Sequence, residues 1–371
     1  MYAYILQKWK QNKLNKIINK SQENIKNIND FTAGKEPTLL FYILADKLNY
    51  LLKNDPEKTL SKTGVKIRKR INRLIKIIGP FFLSSPQVVE NRKKLLDNNS
   101  TELDDEVTIP MKPVIWIANH AFKDDTLASI LAAKRNAYIM FGSMPQFYNT
   151  FDGITAWLNG VVMTNRKVKS SKKSSISKAL KAMELGVDIF MFPEGVWNKS
   201  PNDLLLDFWP GVYSIACETD ACIIPIVHYV NDPSKMEKEN VIHTVIDDPI
   251  NISHLSQEQA LELLKEKMGT WFYLMMEKYG QTTRKELLGD FDTSKKLWEN
   301  HLKKRVETAD RYDVEIELCA DYRPKKKVRP EDVFGSIASL TPDIKKENFK
   351  HIIYAKKLVE ECKQNDFQRR F

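Results

Sequence analysis

Between residues 114 and 250 the chain repeats one texture six times. A short run of β-branched, aromatic and other apolar residues gives way to a more polar or amphipathic stretch. The runs are VIWIAN (114–119), AYIMFG (137–142), GVVMTN (160–165), DIFMFP (188–193), CIIPIVHYV (222–230) and NVIHTVI (240–246). Helix-like segments lie between them near 124–135, 174–185 and 211–218, and another follows the last run, after residue 253. Strands alternating with helical crossovers predict an α/β fold, a mixed, largely parallel sheet flanked by helices. The runs are apolar almost throughout, as expected of strands covered on both faces.

Composition narrows the class. The apolar share is 42%, ordinary for a globular protein, so disorder is not the default. A formal net charge of +10 favours an anionic partner such as a membrane surface or a phosphorylated substrate. The four cysteines, Cys217, Cys222, Cys319 and Cys362, form no CxxC pair and no zinc spacing, and read as scattered thiols in a reducing compartment. No secretory leader and no membrane span are expected. The most apolar stretch, LIKIIGPFFL (74–83), is half of the ~20 residues a crossing helix needs and contains Lys76.

Three regions follow. Residues 1–108 are expected to be helical, basic and membrane-associating, 109–282 to form the α/β domain, and 283–371 to be a charged appendage without an assigned role. Within the first region Ile71, Leu74, Ile75 and Ile78 fall on one helical face, with Lys66, Lys69, Arg70, Arg73 and Lys76 on the other. Such a helix suits the plane of an anionic lipid surface, which places the protein peripherally on the inner face of the cell membrane. The competing reading packs the stripe on the α/β domain and leaves the cations solvated. No nucleic-acid partner is expected, because basic charge alone is not a code.

The chemistry centres on the end of the first run. His120 follows it directly, and a helical period begins near Asp124. Five residues apart on one helix, His120 and Asp125 would point away from each other; a strand-to-helix turn lets them meet. It also puts Asp124 or Asp125 at the helix start, where a carboxylate is favoured. An aspartate accepting from one imidazole nitrogen leaves the other to take a proton. Taken alone, a capping aspartate near an incidental histidine gives the same pattern. Three further segments add to it. GVVMTNR (160–166) ends a strand on Arg166, suited to a phosphate or carboxylate. Phe192-Pro193-Glu194-Gly195 ends another, with proline stopping the ladder and glycine permitting a tight turn. A fourth run holds an internal Pro225, a signal for an edge or bulge.

These four blocks, in this order, resemble the glycerolipid acyltransferase family, which includes 1-acylglycerol-3-phosphate acyltransferases. The match comprises Asn119, His120 and Asp125; Gly160 to Arg166, with Met163 in an aromatic place; Phe192 to Gly195, with Val196 and Trp197 departing from the pattern; and Ile223 to Ile226 around Pro225. The resemblance spans about residues 110–230. It implies transfer of a fatty acyl group from an acyl-carrier-protein or coenzyme A thioester to a lipid hydroxyl, with His120 as base and Asp125 as its partner. Asn119, Gly160, Arg166, Phe192, Pro193, Glu194, Gly195 and Pro225 would form the substrate-binding set. Arg166 would meet the acceptor's phosphate, Glu194 its glycerol part, and amides near Glu194–Gly195 the oxyanion. No metal or redox cofactor is implied. The alternatives are another acceptor on the same fold, a glycolipid or sugar hydroxyl, and a non-catalytic membrane-attached scaffold.

Overall fold

The computed structural model describes residues 55–56, 60–91, 109–120, 122, 124–133, 135–142, 151–165, 168–196, 205–230 and 240–279. In chain order these form α1 (Lys62–Ile78), a 3₁₀ turn (Gly79–Phe82), β1 (Gln87–Asn91), β2 (Ile115–Ala118), α2 (Asp125–Ala132), β3 (Ala137–Gly142), α3 (Phe151–Asn159), β4 (Val161–Thr164), α4 (Lys169–Glu184), β5 (Asp188–Met191), α5 (Gly211–Thr219), β6 (Ile223–Tyr229), β7 (Ile242–Ile246) and α6 (Gln257–Tyr279). The 283–371 appendage and Arg166 lie outside the described residues.

All six apolar runs are strands of a seven-stranded sheet with order β1-β7-β6-β2-β5-β3-β4. Every neighbouring pair is parallel except β6–β7. The expected mixed, largely parallel α/β sheet is therefore the fold. β2 and β5 are buried at every position, which explains why no polar alternation marks them. One sheet face packs a core of Ile117, Ile189, Val227 and Ile223 against α4, α5 and α6, through Ala179, Val212 and Leu264 among others. The other packs Trp116, Phe190 and Ile224 beneath α1 and α2, through Ile75 and Ile130.

The sheet begins before residue 109. β1, inside the segment expected to be helical, pairs with β7 from Gln87↔Ile242 to Asn91↔Ile246. Its Val88 and Val89 stay exposed, as suits a strand at the sheet's edge.

α1 also faces differently from its expected stripe. Its buried residues are Val65, Asn72 and Ile75, and Ile71 packs partly against the core. The polar Asn72 turns inward because Asn159 at the end of α3 receives it: Nδ2 donates to Asn159 Oδ1 at 2.5 Å, and Asn159 in turn donates to the Ala137 carbonyl at 2.9 Å. Lys76 turns inward too. Its Nζ donates to the carbonyls of Ala133 and Arg135 just past the end of α2, where a cation meets orphan carbonyls and the negative end of the dipole. Burial lowers its pKa to about 8. Leu74 and Ile78, half of the expected stripe, face outward with Ile67, Ile77, Phe81 and Phe82.

Pro225 sits in an interior strand, opposite Ile117 of β2, and the local register absorbs it. β6 meets the following chain at Ile223↔Ile250 and again at Ile226↔Ile246, so one strand has two residues between the pairs and the other three. Proline offers no N–H there, and its carbonyl accepts from Asp247 N at 2.9 Å. The bulge is present, on the partner strand, and the edge is not.

Candidate active site

Parallel strands share their ends, so β2, β3, β4 and β5 all deliver the residue after them to one side of the sheet. His120 after β2 and Phe192 to Gly195 after β5 meet there. Gly160 precedes β4 and so lies at the opposite end. Its φ of +114° and a Tyr138 ring 2.3 Å from where a Cβ would stand explain the glycine as a packing requirement. Gly160 is therefore set apart from the dyad and not in the substrate-binding set with it, and the parallel direction of β4 is the reason.

The turn after β2 performs as its residues require. His120 Nδ1 lies 2.7 Å from Asp125 Oδ2, and the same oxygen accepts from Phe122 N at 3.2 Å. An ionised carboxylate only accepts, so this bond places the imidazole proton on Nδ1 and makes Nε2 the basic nitrogen. Of the two aspartates at the helix start, Asp125 takes the histidine; Asp124 Oδ2 accepts from Ser84 N at 2.8 Å, tying the 3₁₀ segment to α2. Asp125 is 1% exposed and the His120 side chain 11%, so the carboxylate is shielded while the ring still meets the surface. Phe192 stacks on the imidazole, with centroids 4.2 Å apart and planes at 13°, and Phe190 meets Phe192 edge-on. Among its described contacts Phe192 supports the base.

Glu194 departs from its expected task. It is 1% exposed, and its two oxygens accept from backbone amides: Oε1 from His120 N at 3.0 Å and Oε2 from Leu206 N at 2.8 Å. A carboxylate so occupied is a brace between the His120 turn and the segment entering α5, held by charge-assisted bonds. The sequence hides this because Leu206 donates from its backbone. Pro193 and Gly195 complete the brace. The Pro193 carbonyl accepts from Trp209 N at 2.9 Å, and Gly195 N–H donates to the Phe192 carbonyl at 3.0 Å, which commits that amide to the turn and not to an oxyanion. Gly195 has φ +72°, and a Cβ there would stand 2.8 Å from the Trp209 ring.

Asn119 is occupied by the neighbouring strand. Its side chain bridges both backbone groups of His228: Nδ2 donates to the carbonyl at 3.0 Å, and Oδ1 accepts the N–H at 2.8 Å. His228 is fully buried, with Nε2 2.7 Å from Ser129 Oγ and Nδ1 2.9 Å from Thr244 Oγ1. Burial drives its pKa down to about 4, against an opposing pull from Asp125, so it stays neutral. Two hydroxyl partners and full burial make His228 a satisfied core residue. Ser129, Thr244 and Leu206 carry no sequence signal of their own.

Residues 100–229 match the family model described as Acyltransferase, and the dyad and its braces lie within them. The match covers the segment in which the glycerolipid acyltransferase motifs lie. Among solved structures, the crystal structure of the 1-acyl-sn-glycerophosphate (LPA) acyltransferase PlsC from Thermotoga maritima is similar at 17% identity with a TM-score of 0.41, over 66% of this chain and 96% of that one. No curated protein sequence matches the chain.

Proposed function

We propose that the protein transfers a fatty acyl group from a coenzyme A or acyl-carrier-protein thioester to a hydroxyl of a lysophospholipid-type acceptor, 1-acylglycerol-3-phosphate being the first candidate. The observation that carries the reading is the 2.7 Å His120–Asp125 bond at the strand ends of the segment that matches the Acyltransferase model. His120 Nε2 takes the proton of the acceptor hydroxyl as its oxygen attacks the thioester carbonyl. The tetrahedral intermediate then collapses, expelling the thiolate, which recovers that proton from the imidazolium. Asp125 holds the ring's tautomer and stabilises the imidazolium. Arg166, after the end of β4, serves the acceptor's phosphate in this reading.

A lipid surface is the proposed workplace. No helix among the described residues is long and apolar enough to cross a membrane. The outer face of α1 and the 3₁₀ turn presents Ile67, Leu74, Ile77, Ile78, Phe81 and Phe82 to solvent, with Phe81 87% exposed. Lys66, Arg70 and Arg73 are exposed alongside. Exposed apolar residues of this size, interleaved with one sign of charge, suit the headgroup boundary of an anionic bilayer such as the inner face of the cell membrane.

The test is the product made by purified protein from a labelled acyl thioester, supplied on each carrier, with a panel of lipid acceptors in anionic vesicles. Acylated lysophosphatidate from the native protein and none from His120→Ala supports the reading. Transfer only to a glycolipid or sugar hydroxyl would move the acceptor assignment. No transfer to any acceptor, with cellular function intact in His120→Ala, would make the protein a scaffold.

A further inference from the structure

Behind the dyad lies a second histidine that the proposed chemistry does not use. β2 and β6 pair as far as Ala118↔Ile226, and β6 then runs on past the end of β2 toward Tyr229, paired there with β7. Asn119 extends the ladder with its side chain, satisfying the N–H and the carbonyl of His228 together. The direction in which the chain leaves β2, and so where His120 starts, is set by that two-point contact. The His228 ring reaches Ser129, one helical turn beyond Asp125, at 2.7 Å, and Phe122, edge-on, at 5.8 Å between centroids. Phe122 N–H is the second donor to Asp125 Oδ2. On its other side the ring meets Thr244, whose hydroxyl accepts from Gln87 Nε2 at 2.9 Å; the same amide donates to the Ala128 carbonyl at 2.9 Å. His228 therefore touches the residue before His120, the residue two after it, and the helix that carries Asp125.

We propose that His228 is a positioning residue of the acyl-transfer site, fixing the His120 turn against α2 so that the imidazole and Asp125 stay in hydrogen-bond register. The inference rests on His120 being the base. With no exposed surface, His228 has no path to substrate and cannot be the base itself. Its two hydroxyl partners can each donate or accept, so a neutral ring is satisfied in either tautomer. An apolar residue of similar size would leave two buried hydroxyls facing hydrocarbon and would release the ring side of the clamp.

The experiment compares the full-length native protein with His228→Leu, His228→Gln and Ser129→Ala in the acyl-transfer assay. Displacing a base from its working position costs up to about 100-fold in kcat with KM held to about twofold, and that is the expectation for His228→Leu. His228→Gln, which keeps one donor and one acceptor, is expected to recover most of the rate. In an Asp125→Asn background His228→Leu is expected to add little, because both losses pass through the same imidazole. The low-field ring N–H resonance of the His120–Asp125 bond, assigned by its loss in His120→Ala, gives a readout independent of turnover; it should weaken or shift in His228→Leu and persist in His228→Gln. A folded His228→Leu protein with native kcat and an unchanged resonance overturns the inference, as do additive losses with Asp125→Asn. If His228→Leu does not fold, Ser129→Ala decides by the same two readouts, a weakened resonance and lower kcat being expected. If the native protein shows no transfer, the functional reading fails, while the resonance still decides whether His228 holds the pair.

Discussion

Each end of the sheet buries an aspartate against a nitrogen base. At the N-terminal end of the strands, Asp188 accepts from Arg135 Nε and Nη2 at 3.0 and 2.9 Å, from Trp116 Nε1 at 2.8 Å and from Val114 N at 3.1 Å. At the C-terminal end, Asp125 accepts from His120 and Phe122. The first partner carries a permanent charge, and the pair ties β2, β5 and the loop before β3 into one staple. The second partner is an imidazole, whose other nitrogen stays available to a proton, and its ring reaches the surface. A buried carboxylate is therefore no sign of chemistry by itself; a titratable partner beside an opening is. In the proposed reading this separates an end built for stability from an end built for proton transfer, and variants at each should fail in different ways.

The largest effect should come from the chemical end. His120→Ala should lower kcat by about 1,000-fold, within the range for losing a general base, and Asp125→Asn by somewhat less. The melting temperature of His120→Ala should fall less than that of Asp188→Asn, because Asp125 still accepts from the Phe122 amide when the ring is gone. An equal fall in melting temperature and activity would mean that the two ends do not differ as described.

Asp188→Asn should produce the mirror image. Breaking the bidentate pair should remove about 3 kcal/mol of stability by chemical denaturation, near the low end for a buried pair because Arg135 is partly exposed. Specific activity of the folded protein should hold. A fall in kcat without a fall in stability would reverse the assignment of ends.

The third test uses pH. His228 has its pKa lowered from an ordinary 6.5 to about 4 by burial. Between those values the unfolded chain binds a proton that the folded chain refuses, so folding loses stability as pH falls from about 6.5 toward about 4. The loss should reach about 2 kcal/mol by about pH 5, measured as the shift in denaturation free energy from neutral pH. In His228→Gln this contribution should vanish, and an unchanged slope in that variant would contradict it.

Much of this was legible in the residues. Six strands announced themselves because both faces are covered and no polar position interrupts them. The dyad was legible because a turn between strand and helix is the one way for residues five apart to meet. What stayed hidden was set by partners far along the chain. β1 reads weakly because its valines face solvent at an edge. Asn72 looks like a surface residue until Asn159, 87 positions away, supplies its bond. Glu194 looks like a substrate contact until each of its oxygens is seen to accept from a backbone amide, which no side-chain pattern encodes. Gly160 was placed by motif order, and only the parallel direction of β4 assigns it to the far end.

The brace offers a smaller test of the chemical end. Glu194→Gln keeps one acceptor oxygen but turns an NH₂ toward the other amide. That should lower stability by about 1–2 kcal/mol and kcat by roughly tenfold, since the His120 turn loses one tie. The KM for acceptor should stay near native if Glu194 braces the turn; a rise in KM with kcat held would restore the glycerol contact expected from the motif.

The smallest effect on the folded protein belongs to the outer face of α1. Phe81 and Phe82 are 87% and 58% exposed, so replacing both with serine removes little packing. Denaturation and transfer to a detergent-dispersed acceptor should therefore stay native. Binding to anionic vesicles should weaken by about 1 kcal/mol per ring, a part of what full burial of a phenylalanine yields, because a headgroup boundary covers each ring incompletely. Salt separates the two contributions: screening weakens the pull of Lys66, Arg70 and Arg73 and leaves the apolar share in place. A double-serine protein that binds vesicles like the native one, at low and high salt alike, would remove this face from the lipid surface and leave the two ends of the sheet as they are.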